Sequence, residues 1–330
     1  MQPPTYPSPE VRNLSAPPAR SLRDRLFVAM QYALPQHFLS RIVLRVTRIR
    51  LRPVKNLLIR SFLRGFEPNM SEASQPNPLQ YPSFNAFFTR TLRAGARPID
   101  IDPGVLVSPV DGTVSQIGRL DGTKLLQAKG HDYTLEALLD GAPESPLGTS
   151  PLPAGDVTAT AAPVPRLQWV ERFKGGAFAT LYLAPYNYHR IHMPLAGTLR
   201  AAWFVPGKLF SVNAVTAAAV PGLFAKNERV VCVFEDGPRA FAMVLVGALF
   251  VGSISTVWHG DVAPRSPHER VDLPLATSRS PLKLSKGAEM GRFNMGSTVI
   301  LLLPPDLLDW LPKFATGTRI EVGQMLARLK

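Results

Sequence analysis

A glycine and a serine that could cut the bond between them, Gly296 and Ser297, stand directly before the apolar run 298–303. Glycine has no Cβ, so its carbonyl can adopt backbone geometries closed to other residues. The serine hydroxyl could attack that carbonyl if a base removes its proton. The ester formed can eliminate to dehydroalanine, which hydrolyses to a pyruvoyl group at a new N-terminus. Taken alone, Gly-Ser more often marks a tight turn before a buried strand.

Two histidines could supply the base, because His189 and His192 lie three residues apart in a segment bounded by Pro185 and Pro194. A pair at this spacing can share one helical face and hold a metal. The chain has no cysteine cluster or His-Glu-x-x-His pattern beside them, so we expect no metal site. An imidazole suits acid–base work because its pKa lies near the working pH.

Asp111 is a candidate carboxylate for such a histidine, but Asp-Gly also occurs at 121, 140 and 236 as ordinary turns. Ser253 and Ser255 are alternative nucleophiles near a glycine. A serine hydrolase that uses Asp111, His192 and a serine on an external ester therefore stays open. The Gly-x-Ser-x-Gly elbow of α/β-hydrolases does not occur.

The charge of the chain is concentrated near its N-terminus. The net charge is +13, and residues 41–64 carry eight cations and no acid, interleaved with apolar residues. Basic amphipathic helices of this kind lie in the membrane interface; a solvated helix pair packed on the core is the alternative. Nucleic-acid binding is disfavoured because interleaved aromatic residues are missing.

The expected cellular location of the protein is inferred from features that its sequence does not contain. No apolar run approaches the roughly 18 residues of a membrane span, and the Pro-rich N-terminus has no secretory core. A single cysteine, Cys232, excludes an intrachain disulfide. We expect a peripheral protein on the cytoplasmic side of the cell membrane.

The elements that must position these residues change type along the chain. Residues 1–21 predict a disordered tail. Residues 22–66 predict two or three helices broken at Pro35 and Pro53, with Leu26, Phe27, Met30 and Leu34 on one face. Ser83 is a plausible N-cap for a helix over 84–92.

Beyond Pro98, short apolar runs separated by Gly, Pro and Asp-Gly predict strands. The expected strands are 105–107, 113–117, 124–127, 178–183, 197–204, 229–234, 240–246, 249–256 and 298–303. Residues 143–170 predict an inserted surface loop. The fold class is α+β: amphipathic helices, then a β-rich, mostly antiparallel, barrel- or sandwich-like domain. We divide the chain into a tail (1–21), a docking segment (22–76) and a catalytic domain (77–330).

Several motifs in fixed order carry a family resemblance. They are Phe84-Asn-Ala-Phe-Phe-Thr-Arg90, Arg97-Pro-Ile-Asp100, Ser108-Pro-Val-Asp-Gly112, Tyr188-His-Arg-Ile-His-Met-Pro194, Leu209-Phe-Ser-Val-Asn213, Asn227-Glu-Arg-Val-Val231 and Glu289-Met-Gly-Arg-Phe-Asn-Met-Gly-Ser-Thr298. The chain resembles the bacterial phosphatidylserine decarboxylases, pyruvoyl-dependent membrane enzymes, over roughly residues 22–142 and 171–325. Met295 departs from the family's usual leucine, a volume-conserving exchange that should permit processing.

The resemblance implies roles that spacing alone does not give. The chain would cut itself between Gly296 and Ser297, and Ser297 would become the pyruvoyl group that forms a Schiff base with the substrate. His192 would be the base for cleavage, Asp111 would orient and charge-stabilise His192, and His189 would serve decarboxylation. No exchangeable cofactor is then needed.

The implied partners are phosphatidylserine in the membrane, an anionic lipid surface, and the long and short chains of one precursor. The product would be phosphatidylethanolamine, and nucleic acid is not expected as a partner. A homodimer stays open. Arg90, Arg97 and Asn213 are candidates for holding the lipid phosphate or carboxylate. Two further alternatives are a non-enzymatic basic membrane-binding protein and a related pyruvoyl enzyme for a soluble amino acid; the basic segment argues against the latter.

Overall fold

The computed structural model describes residues 21–128, 131–140, 166–251, 253–262, 270–275 and 281–330. The expected tail, apart from Ser21, lies outside these residues, as does 143–165 of the expected insertion. Residues 166–170 belong to a helix whose Trp169 and Val170 are buried in the core. The prediction of a surface loop is therefore wrong at that end, because apolar side chains fix the segment to the core.

Three helices form the N-terminal part, and shorter ones lie between the strands. The described helices are α1 Leu22–Ala33, α2 Gln36–Thr47, α3 Arg52–Gly65, α4 Phe84–Phe88, α5 Leu135–Asp140, α6 Arg166–Phe173, α7 Ala214–Ala219 and α8 Leu223–Lys226, with a 3-10 turn at Pro78–Gln80.

Local sequence explains the helix ends. Ser21 and Asp24 form a reciprocal capping box at the start of α1. Ser83 caps α4 as predicted by accepting a hydrogen bond from the Ala86 amide (3.1 Å). Pro53 does not break a helix: it lies in the first turn of α3, where its missing N–H costs nothing.

The strands, in chain order, are β1 Val105–Val107, β2 Gly112–Arg119, β3 Lys124–Ala128, β4 His131–Thr134, β5 Ala177–Tyr182, β6 Arg190–His192, β7 Gly197–Val205, β8 Arg229–Asp236, β9 Arg239–Val246, β10 Ile254–Thr256, β11 Gly260–Val262, β12 Val271–Asp272, β13 Lys283–Leu284, β14 Glu289–Phe293, β15 Thr298–Leu303, β16 Leu308–Trp310, β17 Arg319–Ile320 and β18 Met325–Leu329. The predicted strand over 249–256 is correct at 254–256 and wrong at 249–251 and 253, and residue 252 lies outside the described residues. Phe250 has positive φ (67°), and the Val251 amide bonds to the Ala248 carbonyl, so the chain turns there.

One large sheet forms the centre of the protein. Its order is β12-β7-β8-β9-β15-β5-β2-β17, with β13 also on β7, and its ladders are antiparallel. β15 is buried at every residue and pairs with β9 on one side and β5 on the other. A smaller sheet has the order β11-β10-β14-β6. The predicted α+β class with antiparallel strands is confirmed, and the described strands close no barrel.

The N-terminal helices are built with polar side chains inward. Gln31 and Gln36 are buried and accept hydrogen bonds from the amides of Ser211 and Leu209 (both 2.7 Å). The face of α1 predicted from its apolar spacing points outward instead, with Leu26 69% exposed. Among the described helices, none has the length and apolar content needed to cross a bilayer.

An aromatic cluster joins α3 to the β-domain. It consists of Ile59, Tyr81, Phe84, Phe87 and Phe88, and Met295 packs against both this cluster and the main core. The residue just before Gly296 is therefore held between helix and sheet.

Candidate active site

The Gly296–Ser297 bond lies where the two sheets meet. β14 belongs to the smaller sheet and β15 to the larger one, so residues 294–297 cross from one to the other. The Ser297 carbonyl already accepts a bond from the Leu183 amide (2.9 Å). Ser297 is thus anchored to the larger sheet, while Gly296 lies in the segment that connects the two sheets.

Ser297 is fully buried, and its hydroxyl has no hydrogen-bond partner. Buried hydroxyls are nearly always paired, because losing water without replacement costs about 1–3 kcal/mol. An unpaired hydroxyl here is chemically free to react.

His189 presents a free nitrogen to this bond. Its Nδ1 lies 2.8 Å from the Asn187 carbonyl and must donate, so the neutral ring has its lone pair on Nε2. That Nε2 is buried and unpartnered, and it lies 3.2 Å from where a Cβ on Gly296 would stand. The ring packs on Phe88 with centroids 4.1 Å apart. Burial and the nearby charge of Arg90 lower the pKa of His189 to about 3, so it is neutral at pH 7.

His192 is held differently. Its Nδ1 donates to the Gly287 carbonyl (2.7 Å), and its Nε2 accepts from the Tyr188 hydroxyl (3.0 Å). Burial lowers the pKa of His192, while the charges of Glu289 and Asp111 act to raise it. These carboxylates would stabilise the imidazolium if the ring took up a proton.

Asp111 does not hydrogen-bond to His192 in this structure. Its carboxylate instead forms a bidentate interaction with Arg97, whose Nε donates to Oδ1 (2.9 Å) and whose Nη2 donates to Oδ2 (2.6 Å). The carboxylate also accepts a hydrogen bond from the Val322 amide (2.8 Å). Gly112 beside it is required, since a Cβ there would collide with the Tyr182 carbonyl. Asp111 acts on His192 through its charge, and the ring is oriented by Gly287 and Tyr188.

Close approach, rather than an unusual φ, explains the glycine before the cut. Gly296 is absent from the positive-φ residues. A Cβ there would stand 3.2 Å from His189 Nε2 and 3.3 Å from the Leu183 carbonyl. The structure thus adds a steric reason for glycine at this position, and the expectation that glycine allows the bond to be bent stays a prediction.

Sequence reasoning missed an amide network that holds the chain just before the cut. Asn294 Nδ2 donates to Ser253 Oγ (2.6 Å) and Ser255 Oγ (2.8 Å), and Asn85 donates to Asn294 Oδ1 (3.2 Å). Ser255 continues to Asp261, which pairs with Arg48 at the end of α2 (2.5 Å). The only available signal was that Asn85 and Asn294 each stand in a motif.

We expect Asn294→Ala to slow self-cleavage about 10- to 100-fold. Each lost hydrogen bond removes about 1 kcal/mol of positioning, and about 1.4 kcal/mol is a tenfold change in rate. Pulse-labelled cell-free synthesis, followed by separation of cut and uncut chains, measures the rate. Asn69→Ala, at an exposed turn asparagine, is the control; equal rates for the two variants would contradict the role of the network.

If His192 is the base, the rate of cleavage should vary with pH as the imidazole of His192 gains or loses its proton. A base works only when unprotonated, and the pKa of His192 lies below its ordinary value of 6.5. The rate should therefore be level above about pH 7 and fall as the pH drops through the lowered pKa. Cleavage timed in the same synthesis at several pH values measures this; a rate that still climbs steeply above pH 8 would contradict it.

Other residues singled out in the sequence have structural partners. Ser253 and Ser255 are engaged by Asn294 and Asp261, which weakens the hydrolase alternative. The guanidinium of Arg97 forms ion pairs with the carboxylates of Asp111 and Glu72. Asn213 is the N-cap of α7, where its Oδ1 accepts from the Thr216 amide (3.0 Å). Of the three candidates for a lipid anion, Arg90 has a buried donor, Nε, that no group of the protein accepts.

Comparison with known proteins gives consistent matches. The phosphatidylserine decarboxylase family profile matches residues 84–328, and a second profile described as PSD matches residues 26–67. The phosphatidylserine decarboxylase proenzyme of Stutzerimonas stutzeri strain A1501 is 46% identical over 93% of this chain and 95% of its own length. The proenzyme of Bordetella pertussis strain Tohama I is 47% identical over 92% and 95%.

Together with the fold and the buried Gly-Ser bond, these matches define the class of protein as an autoprocessed carboxy-lyase. The chain belongs to the phosphatidylserine decarboxylase family, as the order of its motifs predicted.

Proposed function

We propose that this chain cuts itself between Gly296 and Ser297 and then decarboxylates phosphatidylserine to phosphatidylethanolamine. The observation that carries the proposal is the fully buried, unpartnered hydroxyl of Ser297 directly after Gly296, where a Cβ would stand 3.2 Å from the free Nε2 of His189. Thr180 and Thr298 also have buried hydroxyls without a partner; Ser297 differs from them because it follows Gly296, beside which the free Nε2 of His189 lies. The name that the relatives carry, phosphatidylserine decarboxylase proenzyme, indicates the substrate and the processing that we propose.

The surroundings of Ser297 fit a pyruvoyl group. The orphaned hydroxyl is the atom that would be lost, and the bond between the Ser297 carbonyl and Leu183 would hold the new N-terminus in place. Once formed, a pyruvoyl group supplies a keto carbon that draws electrons from the breaking Cα–carboxylate bond.

We assign the proton acceptor for cleavage to His192. It is neutral at pH 7, and Asp111 and Glu289 would stabilise the charge it acquires. His189 lies closer to the bond but is a poor acceptor, since burial and Arg90 oppose its protonation. To accept the proton of Ser297, His192 Nε2 must give up its hydrogen bond with the Tyr188 hydroxyl.

We assign His189 to the decarboxylation. Decarboxylation takes up one proton overall, because Cα gains a hydrogen as the carboxylate leaves as CO2. The Nε2 of His189 is placed to relay that proton from water to Cα once cleavage has opened the site. Phe88 and the Asn187 carbonyl fix the ring for this transfer.

The two chains should stay together after cleavage. β15 begins one residue after the cut and is paired on both sides by strands of the long chain. Exposing the five buried aliphatic side chains of β15 would cost about 1.5–3 kcal/mol each, a sum comparable to the whole stability of a typical domain.

We propose that residues 22–76 dock the catalytic domain, 77–330, on an anionic membrane surface at the cytoplasmic side. The helices turn polar residues inward and leave Leu26, Phe38 and Leu57 exposed. Exposed arginines accompany them at 41, 45, 50, 52, 60 and 64. Two cations of the set are used internally: Lys55 is buried and donates to the Leu79 carbonyl, and Arg48 pairs with Asp261.

Replacing Leu26 and Leu57 (69% and 63% exposed) by aspartate should weaken binding to vesicles containing anionic phospholipid. Each buried leucine contributes about 1.5–3 kcal/mol, so a loss of about tenfold or more per site is expected in a vesicle sedimentation assay. Ile101→Asp, at an 88% exposed residue outside the segment, is the control. Equal binding by both variants would contradict the docking surface.

The intact mass of the purified protein tests the main proposal. We expect chains of residues 1–296 and 297–330, the shorter lighter by one ammonia than its serine-started form, and release of CO2 from phosphatidylserine. Borohydride added with the lipid should link the lipid amine to the short chain. A folded, uncut chain that reacts with serine-directed probes would favour the hydrolase instead.

A further inference from the structure

We propose that Arg90 binds the anionic group of the substrate, its carboxylate or its phosphate, beside the cut site. This rests on the proposed function and adds a substrate-binding residue to it. The starting observation is a guanidinium that is only 3% exposed and has no carboxylate within ion-pair distance among the described residues.

The donors of Arg90 are only partly used. Nη2 donates to the carbonyls of Tyr186 (3.1 Å) and Asn187 (3.4 Å), and the buried Nε has no partner. Burying an unpaired cation costs several kcal/mol unless a counter-charge compensates. An anion that arrives with the substrate would supply that counter-charge.

Other arginines show that the fold normally satisfies such groups. Arg97 is held by Asp111 and Glu72, and Arg190 by Glu289. Arg229 is fully buried without an acid, but all three of its nitrogens donate to backbone carbonyls. Arg90 differs from these three. Arg292 also has an Nε without a partner, but Arg292 is half-buried, whereas Arg90 is almost completely buried.

The position of Arg90 fits the chemistry. The Asn187 carbonyl that it contacts also accepts the Nδ1 proton of His189, so the guanidinium and the imidazole share one acceptor. The Nε2 of that imidazole faces Gly296. A ligand anchored on Arg90 would therefore have its reacting part within reach of His189 and of residue 297.

Cleavage would open the way to this site. In the uncut chain His189 and Ser297 are fully buried, and Gly296 fills the space between His189 and the Leu183 carbonyl. Cutting the bond releases the end of the long chain from β15 and allows Gly296 to leave that space. Substrate binding through Arg90 thus depends on prior processing.

The test compares Arg90→Met, which keeps the aliphatic stem, with Arg93→Met at an exposed arginine three residues on. Intact mass first establishes processing, which requires a folded chain. The processed proteins are then reduced with borohydride to stop turnover, and binding of short-chain, water-soluble phosphatidylserine and phosphatidylethanolamine is measured by calorimetry. We expect Arg90→Met to weaken phosphatidylserine binding about 10- to 100-fold, with Arg93→Met unchanged.

The two lipids identify the group that is bound. Both carry the phosphate, but only phosphatidylserine carries the carboxylate. Loss of affinity for phosphatidylserine alone assigns Arg90 to the carboxylate, and an equal loss for both assigns it to the phosphate. Unchanged binding of both lipids by processed Arg90→Met would overturn the inference.

A second variant covers the case in which Arg90→Met does not fold. Arg90→Lys keeps the charge but loses the planar fork, and should be processed with a smaller loss of affinity; wild-type affinity in this variant would overturn the inference. A processed wild type that neither binds nor decarboxylates phosphatidylserine would instead overturn the proposed function.

Discussion

A Ser297→Ala chain is expected to remain a single uncut polypeptide without decarboxylase activity. The alanine removes the only atom that can attack the Gly296 carbonyl, and with it the source of the electron-accepting keto group. The fold should survive, because the lost hydroxyl is buried and unpartnered, so its removal breaks no hydrogen bond. Intact mass and CO2 release from phosphatidylserine measure the two effects.

Ser285→Ala, at an exposed serine on the approach to β14, is the matched control and should be cut and active. Thermal unfolding of the Ser297→Ala chain should show a transition at least as high as that of wild type. Two chains recovered from a Ser297→Ala preparation would refute cleavage at this bond.

Replacing His189 and His192 singly should separate cleavage from catalysis. We expect His189→Ala to be cut but to lose about 10²- to 10⁴-fold in decarboxylation, the usual range for a lost proton-transfer group. His192→Ala should instead accumulate as the uncut chain, since its base for cleavage is gone. Mass spectrometry gives the first readout, and turnover of phosphatidylserine gives the second.

His131→Ala, in the separate two-stranded sheet formed by β3 and β4, serves as the control and should do both steps. The opposite assignment of the two histidines is also testable, because the free Nε2 of His189 lies beside Gly296. If the His189→Ala chain stays uncut while the His192→Ala chain is cut, the assignment is reversed: His189 is then the base for cleavage.

The two parts of the site differ in how well sequence could predict them. The cut position and the strand after it follow from local features: a Gly-Ser pair and a continuous run of β-branched and leucine residues. The partners of the site residues do not, because they come from segments far apart in the chain. Asp111 meets Arg97, Tyr188 meets His192, and Asn85 meets Asn294 only after the sheets are assembled.

The helical segment shows the same division. Its apolar spacing and its prolines predicted two or three helices, but not which face would turn inward. Gln31 and Gln36 point to the β-domain because unpaired amides at Ser211 and Leu209 need acceptors. The apolar side chains of Leu26 and Met30 on α1 are left exposed.

The sequence by itself determined the family, the α+β class, the antiparallel strands and the Gly296–Ser297 pair, because motif order, caps and apolar periodicity are local properties of the chain. Tertiary structure decided which histidine nitrogen stays free, that Asp111 is held by Arg97, that Arg90 lacks a counter-ion, and that residues 294–297 cross between two sheets. Those features depend on strand register and on contacts between distant residues. No local pattern contains that information.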